Sequence, residues 1–244
     1  MIITLTTDIG WEYAAEMKGI ITSINPEAKI VDVTHDIMPQ NIMQGAFVIY
    51  SIVPYFKNAI HIGVVDPGVG TKRKSIAIEC KNAWFVGPDN GMFYPAIKKL
   101  GIKRVYELKV KKASPVFHGR DVFAPAAAML SMGKKPDMKE IHDFIKINFP
   151  DEVREGNRIE GKILFMDRFG NIITNIRQPV QKNFRIRIKG IEKDIRLLPT
   201  YGYAGRGEII AVISSAGFLE IARREGSAAE YFSVMGSEPV EIFL

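Results

Sequence analysis

The chain has 244 residues, of which 47% are hydrophobic and 25% charged, a composition typical of one large or two modest globular domains. No window approaches the ~18 uninterrupted apolar residues of a membrane span, and the first residues lack the basic start and long apolar run of a secretion signal. The net charge of +6 is spread along the chain without interleaved aromatic residues, which favours a solvated basic surface over a nucleic-acid interface. Cys80 is the only cysteine, which excludes an internal disulfide and favours a reducing, cytoplasmic setting.

The first half of the chain alternates strand patterns with helical patterns. The strand patterns are rich in Ile, Val and Thr and are IITLTT, AKIVDVT, AIHIGVV, KSIAIEC and AWFVG. The helical patterns carry apolar residues at three- and four-residue spacing and are AEMKGIITSIN, QNIMQGAFVIYSIVPYF and DVFAPAAAMLSMG. This alternation predicts an α/β domain over residues 1–150, with a mostly parallel sheet covered by helices on both faces.

From about residue 157 the pattern changes to short strands separated by turns, with little helix. The strand patterns are RIEGKILFMD, NIITNI, NFRIRIKG, KDIRLLP, EIIAVISSAG, FLEIAR and PVEIFL. They predict a smaller all-β domain over residues 157–244, an antiparallel barrel or sandwich. Residues 134–156 have mixed charge and are predicted to connect the two domains.

Acidic residues follow four of the predicted strands in the first half. Asp8 follows ITLTT, His35 and Asp36 follow IVDVT, Asp66 follows IHIGVV, and Asp89 follows WFVGP. Each residue alone is more typical of a helix cap or an Asx turn. Because ligands bind beyond the carboxyl ends of parallel strands, the four together favour one acidic, ligand-binding edge.

The stretch HIGVVDPGVGTKR, residues 61–73, runs from a strand through Asp66 and a tight glycine turn to Arg73. A glycine turn can attract anions through its backbone N–H groups, but this one lacks the GxxxxGK[ST] spacing of a phosphate loop. A metal site is not predicted either, because the chain has four histidines and lacks a helix-borne histidine pair, an EF-hand loop and paired cysteines.

Two further stretches have a structural and a functional interpretation each. FHGRD, residues 117–121, is either a helix start with Asp121 as cap, or a ligand site where Gly119 allows close approach and His118 positions a water. DRFGN, residues 167–171, is either a hairpin turn with Phe169 in the core, or a carboxylate, a ring and an amide that contact a ligand. The sequence SSAGFLEIARREGSAAE has enough small residues for a tight corner or for close approach to a ligand.

Taken together, these motifs resemble one known family. TLTTDIG, IVDVTHDI, HIGVVDPGVGTKR, VGPDNG, FHGRDVFAPAAA, DRFGNIITNI and SAGFLEIARREGSAAE occur in the order found in the S-adenosyl-L-methionine (SAM) hydroxide adenosyltransferases, which are related to fluorinase and chlorinase. The resemblance covers Thr4 to about Glu230. It implies hydrolysis of SAM to adenosine and L-methionine, in which water or hydroxide attacks the ribose C5′ and no metal or cofactor takes part.

The resemblance also implies the roles of individual residues. Asp66, Arg73 and His118 match the three residues that hold the attacking water. The matched substrate-binding residues are Asp8 for the ribose hydroxyls, Asp167 for the methionine ammonium, Ser215 for its carboxylate, Asn171 for the adenine edge and Phe169 for an aromatic wall. The family implies a homotrimer whose pocket combines N- and C-terminal domains of neighbouring subunits.

Two differences within the family pattern matter. Val69 and Gly119 stand where the halogenating relatives offer hydroxyl groups to a halide, which favours water as the nucleophile. The loop DIGWEYAAEMKG is about two residues shorter than usual and carries Ile9 and Trp11 beside the expected ribose site. A halide-dependent adenosyltransferase and a non-catalytic protein that binds SAM or adenosine as a sensor remain as alternatives.

Overall fold

The computed structural model describes residues 1–110, 112–177, 179 and 181–244. The chain divides into two compact units, Met1–Asn148 and Phe149–Leu244. Among the described residues, no helix is long and apolar enough to cross a membrane.

The first unit contains one seven-stranded sheet in the order β2-β1-β3-β5-β4-β6-β7. Its strands are β1 (Ile2–Thr7), β2 (Lys29–Thr34), β3 (Ala59–Val64), β4 (Ser75–Cys80), β5 (Ala83–Pro88), β6 (Ile102–Leu108) and β7 (Met138–Ile141). The neighbours β2, β1, β3 and β5 are all parallel, whereas β4 pairs antiparallel with β5 and β6, and β7 pairs antiparallel with β6. The predicted mostly parallel sheet is therefore confirmed.

Helices cover both faces of this sheet. They are α1 (Gly10–Ile24), α2 (Ile42–Ile52), α3 (Tyr94–Leu100) and α4 (Ala124–Ser131). Met17 of α1 and Ala127 of α4 share one buried cluster with Ile3 and Leu5 of β1. On the opposite face, Gly63 of β3 leaves room for Ile49 of α2, which a Cβ atom would meet at 2.9 Å. Since side chains alternate along a strand, β1 and β3 are buried on both faces, as their apolar composition predicts.

The segment predicted to connect the domains also contributes to both sheets. Met138–Ile141 forms β7, and Val153–Glu155 forms β8, which pairs with a strand of the second unit. Both strands are short and largely exposed, with charged residues at most positions. They therefore lack the alternating apolar pattern by which sequence predicts a strand.

The second unit is an antiparallel sheet of eight strands in the order β12-β11-β15-β9-β10-β14-β13, with β8 paired to β9. The remaining strands are β9 (Arg158–Met166), β10 (Ile172–Thr174), β11 (Asn183–Ile188), β12 (Ile191–Arg196), β13 (Ile209–Ile213), β14 (Leu219–Arg223) and β15 (Pro239–Phe243), and one short helix is α5 (Ala228–Phe232). A bridge between Leu197 and Ala211 brings the two ends of the sheet together. The prediction of an antiparallel, barrel-like domain is confirmed.

Candidate active site

Four polar positions lie at one edge of the first sheet because β2, β1, β3 and β5 are adjacent and parallel. The predicted acidic edge is therefore confirmed, but its members differ in surroundings. Asp36 is exposed. Asp89 is buried, its side chain accepts a hydrogen bond of 2.8 Å from the backbone of Ile145, and burial raises its pKa. Asp89 thus fixes a loop, whereas Asp8 and Asp66 border the groups described next.

The turn after β3 brings Arg73 back to Asp66. The turn is closed by backbone hydrogen bonds from Val69 to Asp66 and from Thr71 to Gly68. The Nε of Arg73 donates to Asp66 Oδ1 at 2.9 Å, and its Nη2 donates to Oδ2 of the same carboxylate. Only 10% of the Arg73 side chain and 6% of the Asp66 side chain are exposed. This bidentate pair is therefore held away from bulk water, where such bonds are strong and well oriented.

His118 completes the group from a different part of the chain. Arg73 Nη2 lies 3.0 Å from His118 Nδ1. Burial lowers the pKa of His118, and the positive charge of Arg73 lowers it further, against the opposing effect of Asp66. Because a guanidinium can only donate, Nδ1 must accept, and the neutral imidazole carries its proton on Nε2. The three residues predicted to hold a water are thus joined through Arg73, which is hydrogen-bonded to both of the others.

FHGRD is a helix start, as one of its two interpretations predicts, but Asp121 is not the cap of that helix. Asp121 caps the preceding loop instead, since its Oδ2 accepts from the backbone N–H of Ser114 at 2.8 Å. Gly119 is buried and closely packed. A Cβ atom there would lie 3.1 Å from Met17 Sδ and 3.2 Å from the ring of Phe117, so the glycine serves close packing within the protein. The helix begins with a π-helical turn, Gly119–Phe123, directly after His118.

Asp8 follows β1 and is half-enclosed at the same edge. Its Oδ2 accepts a hydrogen bond of 2.8 Å from the backbone N–H of Gln40, a residue with a positive φ of 65°. Burial raises the pKa of Asp8, and the charge of Asp66 raises it further. The two carboxylates are therefore close enough to interact electrostatically, and a neutral or hydrogen-donating ligand suits the space beside Asp8.

In the second unit, DRFGN forms the hairpin turn between β9 and β10. Asp167 Oδ1 accepts from the backbone N–H groups of Phe169 and Asn171, both at 2.9 Å, and Oδ2 accepts from Asn171 Nδ2 at 2.9 Å. Gly170 has a φ of 77°, which favours glycine. The turn interpretation is confirmed, but Phe169 is 78% exposed and does not lie in the core.

These turn residues border a cavity of about 890 Å³. Asp167, Phe169 and Asn171 line it together with residues of the segment that follows β14. Ser215, the fourth substrate-binding residue predicted in this unit, lies in the exposed turn between β13 and β14 and is not among the lining residues. The structure thus brings three of the four predicted residues together.

Sequence reasoning missed a buried carboxyl group beside this cavity. Glu220 of β14 is 5% exposed and accepts a hydrogen bond of 2.5 Å from the hydroxyl of Tyr201, which lines the cavity. Burial raises the pKa of Glu220, and the charge of Asp167 raises it further. In the pattern LEIAR, Glu220 stands at a position typical of a solvent-facing residue, so the sequence carries no signal that a loop covers it.

Among the residues that the structure describes, no three His, Cys, Asp or Glu side chains are grouped as a metal would require. At the acidic edge, Arg73 takes up both oxygens of Asp66 and the Nδ1 of His118.

Models of known protein families match both units of the chain. The model of the SAM hydroxide adenosyltransferase N-terminal domain matches residues 3–140, and that of the C-terminal domain matches residues 161–241. Together the two models match most of the chain. The protein therefore belongs to the SAM hydroxide adenosyltransferase family.

Individual relatives cover the whole chain. The (R)-S-adenosyl-L-methionine hydrolase of Methanocaldococcus jannaschii is 39% identical over 99% of this chain and 95% of its own length. That of Thermus thermophilus is 34% identical over 97% of each. A crystal structure of a conserved protein from Thermotoga maritima superposes with a TM-score of 0.90, at 33% identity over the full length of both chains. A fluorinase from an Actinoplanes species is more distant, at 27% identity over 99% of this chain and 97% of its own length.

Proposed function

We propose that this protein hydrolyses SAM to adenosine and L-methionine by in-line attack of a water or hydroxide on the ribose C5′. The observation that carries the proposal is the hydrogen-bonded group formed by Asp66, Arg73 and His118, in which the Asp66 and Arg73 side chains are largely enclosed and each contact has a defined direction. Relatives named as SAM hydrolases, 39% and 34% identical over nearly the whole chain, support the same reaction.

The reaction needs one well-placed oxygen nucleophile. The C5′–S bond breaks with its electron pair on sulfur, so the sulfonium leaves as a neutral thioether and needs no acid. The new C5′–O bond forms from water, whose proton passes to solvent. Displacement at a saturated carbon requires the oxygen in line behind the C–S bond, and positioning of this kind accounts for a large share of catalysis.

The hydrogen-bond directions assign the roles within the group. Arg73 occupies the Nδ1 of His118, so the Nε2–H of His118 is left to donate to the nucleophilic oxygen. Asp66 holds the guanidinium in place through two of its N–H groups. His118 thereby positions the oxygen, and the nearby positive charge of Arg73 favours its hydroxide form. Exclusion of bulk water leaves this oxygen more reactive.

The remaining predicted residues are assigned to substrate binding. Asp8 binds the ribose hydroxyls, Asp167 the methionine ammonium, Ser215 the methionine carboxylate, and Asn171 and Phe169 the adenine. A carboxylate facing a cationic ammonium and an aromatic ring beside a flat base suit the charge and shape of SAM. As in the sequence prediction, we propose a cytoplasmic homotrimer in which neighbouring subunits contribute residues to one site, and which uses no metal or cofactor.

The reaction is tested with chelator-treated protein and SAM in ¹⁸O-labelled water, followed by mass spectrometry. The expected product is adenosine with one ¹⁸O at O5′, formed over many turnovers. Unlabelled adenosine would contradict direct attack by water. A single turnover with retained ligand would favour the sensor alternative, and 5′-halo-5′-deoxyadenosine formed in chloride or fluoride would favour the halide-dependent one. Loss of activity on chelation, restored by a metal, would contradict the metal-free mechanism.

The proposed trimer is tested separately by sedimentation equilibrium. A mass three times the 27.3 kDa of the chain is expected. A monomer with full activity would contradict a site shared between subunits.

A further inference from the structure

Two loops at the acidic edge of the first sheet are joined around Asp8. One loop follows β1 and carries Asp8, and the other follows β2 and carries His35 and Gln40. Four hydrogen bonds connect them: Ile37 N to Thr7 O at 3.3 Å, Gly10 N to His35 O at 3.2 Å, Gln40 N to Asp8 Oδ2 at 2.8 Å, and Thr7 Oγ1 with His35 Nδ1 at 2.9 Å. Asp8 therefore lies where the two loops are hydrogen-bonded to each other.

The hydrogen bond between the side chains of Thr7 and His35 is part of a longer series of hydrogen bonds. His35 is 1% exposed and Thr7 is fully buried. The Nε2 of His35 lies 3.0 Å from Asp32 Oδ1, and Asp32 Oδ2 accepts from Lys18 Nζ at 2.9 Å. The hydrogen-bonded chain thus runs from Thr7 through His35 and Asp32 to Lys18.

The directions of the bonds along this chain follow from the charge of Asp32. Burial acts to raise the pKa of Asp32, but hydrogen bonds from Lys18 and His35 outweigh it and hold the pKa below its ordinary value. Asp32 is therefore a carboxylate, which only accepts, so the Nε2–H of His35 donates to it. In the neutral imidazole, the Nδ1 of His35 then accepts from the hydroxyl of Thr7. In this arrangement the Thr7 hydroxyl and both ring nitrogens of His35 have partners, which gives the contact a defined geometry.

The aromatic ring of Trp11 covers these hydrogen-bonded residues at the surface. The ring of Trp11 meets the ring of His35 edge to face, with centroids 4.7 Å apart. Lys18 Nζ lies 5.8 Å from the centroid of the Trp11 ring, so two residues of the hydrogen-bonded series, His35 and Lys18, lie against Trp11. The sequence predicts Trp11 in a shortened loop after Asp8, but it lies in the first turn of α1, and this contact ties that helix to the buried histidine.

We infer that Thr7 and His35 are positioning residues, which hold Asp8 in the orientation that accepts two hydrogen bonds from a ribose diol. The inference rests on the proposed function, because it takes Asp8 as the ribose-binding group. Thr7 is the residue directly before Asp8 and is anchored to the opposite loop through both its carbonyl and its hydroxyl. Removal of the hydroxyl frees the strand end, so the Asp8 carboxylate loses its fixed direction while the space for the adenine is unchanged.

The test compares Thr7→Val, which removes the hydroxyl at nearly constant shape, with Thr7→Ser, which keeps it. Calorimetric binding of adenosine and of 2′,3′-dideoxyadenosine is measured for both variants, for Asp8→Asn and for the wild type. The wild type is expected to prefer adenosine, and Asp8→Asn to lose most of that preference. We expect Thr7→Val to weaken adenosine binding roughly tenfold, with dideoxyadenosine unchanged, and Thr7→Ser to retain wild-type values. In the Asp8→Asn background, Thr7→Val is expected to have no further effect.

His35→Gln provides a second variant in case Thr7→Val folds poorly, as judged by circular dichroism. A glutamine amide nitrogen can still donate to Asp32 from the position of Nε2, but the amide oxygen does not occupy the position of Nδ1, so the Thr7 hydroxyl loses this acceptor and the same selective loss for adenosine is expected. Equal weakening of both ligands, in variants of a protein whose wild type discriminates between them, would overturn this inference alone and indicate a purely structural role. Failure of the wild type to bind adenosine would overturn the inference together with the proposed function.

Discussion

The two units present their candidate residues in opposite ways. In the first unit, Asp66 and Arg73 have side chains only 6% and 10% exposed, and Arg73 is hydrogen-bonded to both Asp66 and His118. In the second unit, Phe169 is 78% exposed and Ser215 lies on an exposed turn. The groups proposed for chemistry are thus preorganised by strand ends, whereas the groups proposed for binding stand on turns. Rate should therefore depend on the Asp66 group of the first unit, and affinity on the turns of the second unit together with Asp8.

The largest effect is expected at the centre of the preorganised group. Asp66→Asn removes the charge that holds Arg73 while keeping the size of the side chain, so kcat should fall by about 10³ with little change in KM. Asp167→Asn should instead raise KM with a smaller loss in kcat. Steady-state kinetics of both variants tests the contrast.

The matched control is Asp194→Asn, because Asp194 also pairs with an arginine, Arg185, but is 76% exposed on the outer strand β12. It should leave both kinetic constants unchanged. If Asp66→Asn raised KM and left kcat intact, the assignment of chemistry to the first unit would be wrong.

The next largest effect concerns stability in acid. His61 of β3 is 1% exposed, its Nδ1 contacts Thr4 Oγ1 at 2.8 Å, and burial lowers its pKa from 6.5 to about 4. The folded state therefore binds fewer protons than the unfolded state between these two values. Stability is full above pH 6.5 and falls as the pH drops toward 4, by about 3 kcal/mol at 1.36 kcal/mol per pH unit.

This loss should be confined to the first unit, which contains all four histidines and both tryptophans of the chain. Urea unfolding followed by tryptophan fluorescence at several pH values measures it. His61→Leu should flatten the pH dependence, and His142→Gln, at an exposed position, should not. An unchanged slope in His61→Leu would mean that other groups cause the acid sensitivity.

Some contacts of the candidate site can be predicted from the sequence, and others cannot. Asp66 and Arg73 are seven residues apart at the two ends of one glycine turn, so a local pattern brings them together. The position of the carboxyl ends of the parallel strands is likewise predictable, because adjacent βαβ-like units bring these ends to one edge of the sheet. The contact of Thr7 with His35 and that of Tyr201 with Glu220 join residues 28 and 19 positions apart. Such contacts depend on the register of the strands and on the path of the loops, and the periodicity of the sequence predicts neither.

A smaller effect tests how the turn of the first unit supports His118. At Gly70, with φ of 74°, a Cβ atom would lie 2.2 Å from the carbonyl oxygen of Pro115, in the segment that leads to His118. Gly101 has φ of 82° with no atom within 4 Å of a Cβ. Gly101→Ala should cost about 1 kcal/mol of backbone strain, and Gly70→Ala about 1–3 kcal/mol more, with a lowered kcat. Thermal unfolding and kinetics compare them, and equal effects would show that the Pro115 segment moves freely.

The second unit offers the corresponding pair of glycines. At Gly170, with φ of 77°, a Cβ atom would lie 2.1 Å from Ser227 Oγ, while at Gly190, with φ of 79°, no atom is within 4 Å. Because Gly170 shapes the turn that holds Asp167, Gly170→Ala should raise KM and leave kcat nearly unchanged, and Gly190→Ala should do neither. A lowered kcat without a change in KM would contradict the division between the two units.

The smallest effect is expected at the exposed ring. Phe169→Leu should change the free energy of unfolding by less than about 0.5 kcal/mol, because the ring buries little surface. The same variant should raise KM several-fold, since an aromatic contact with adenine contributes about 0.5–1.5 kcal/mol beyond the area that it buries. Tyr55→Leu is the matched control, as Tyr55 is 76% exposed in the first unit. If neither variant changed stability or KM, Phe169 would be an ordinary surface residue, and adenine binding in the proposed site would then depend on Asn171.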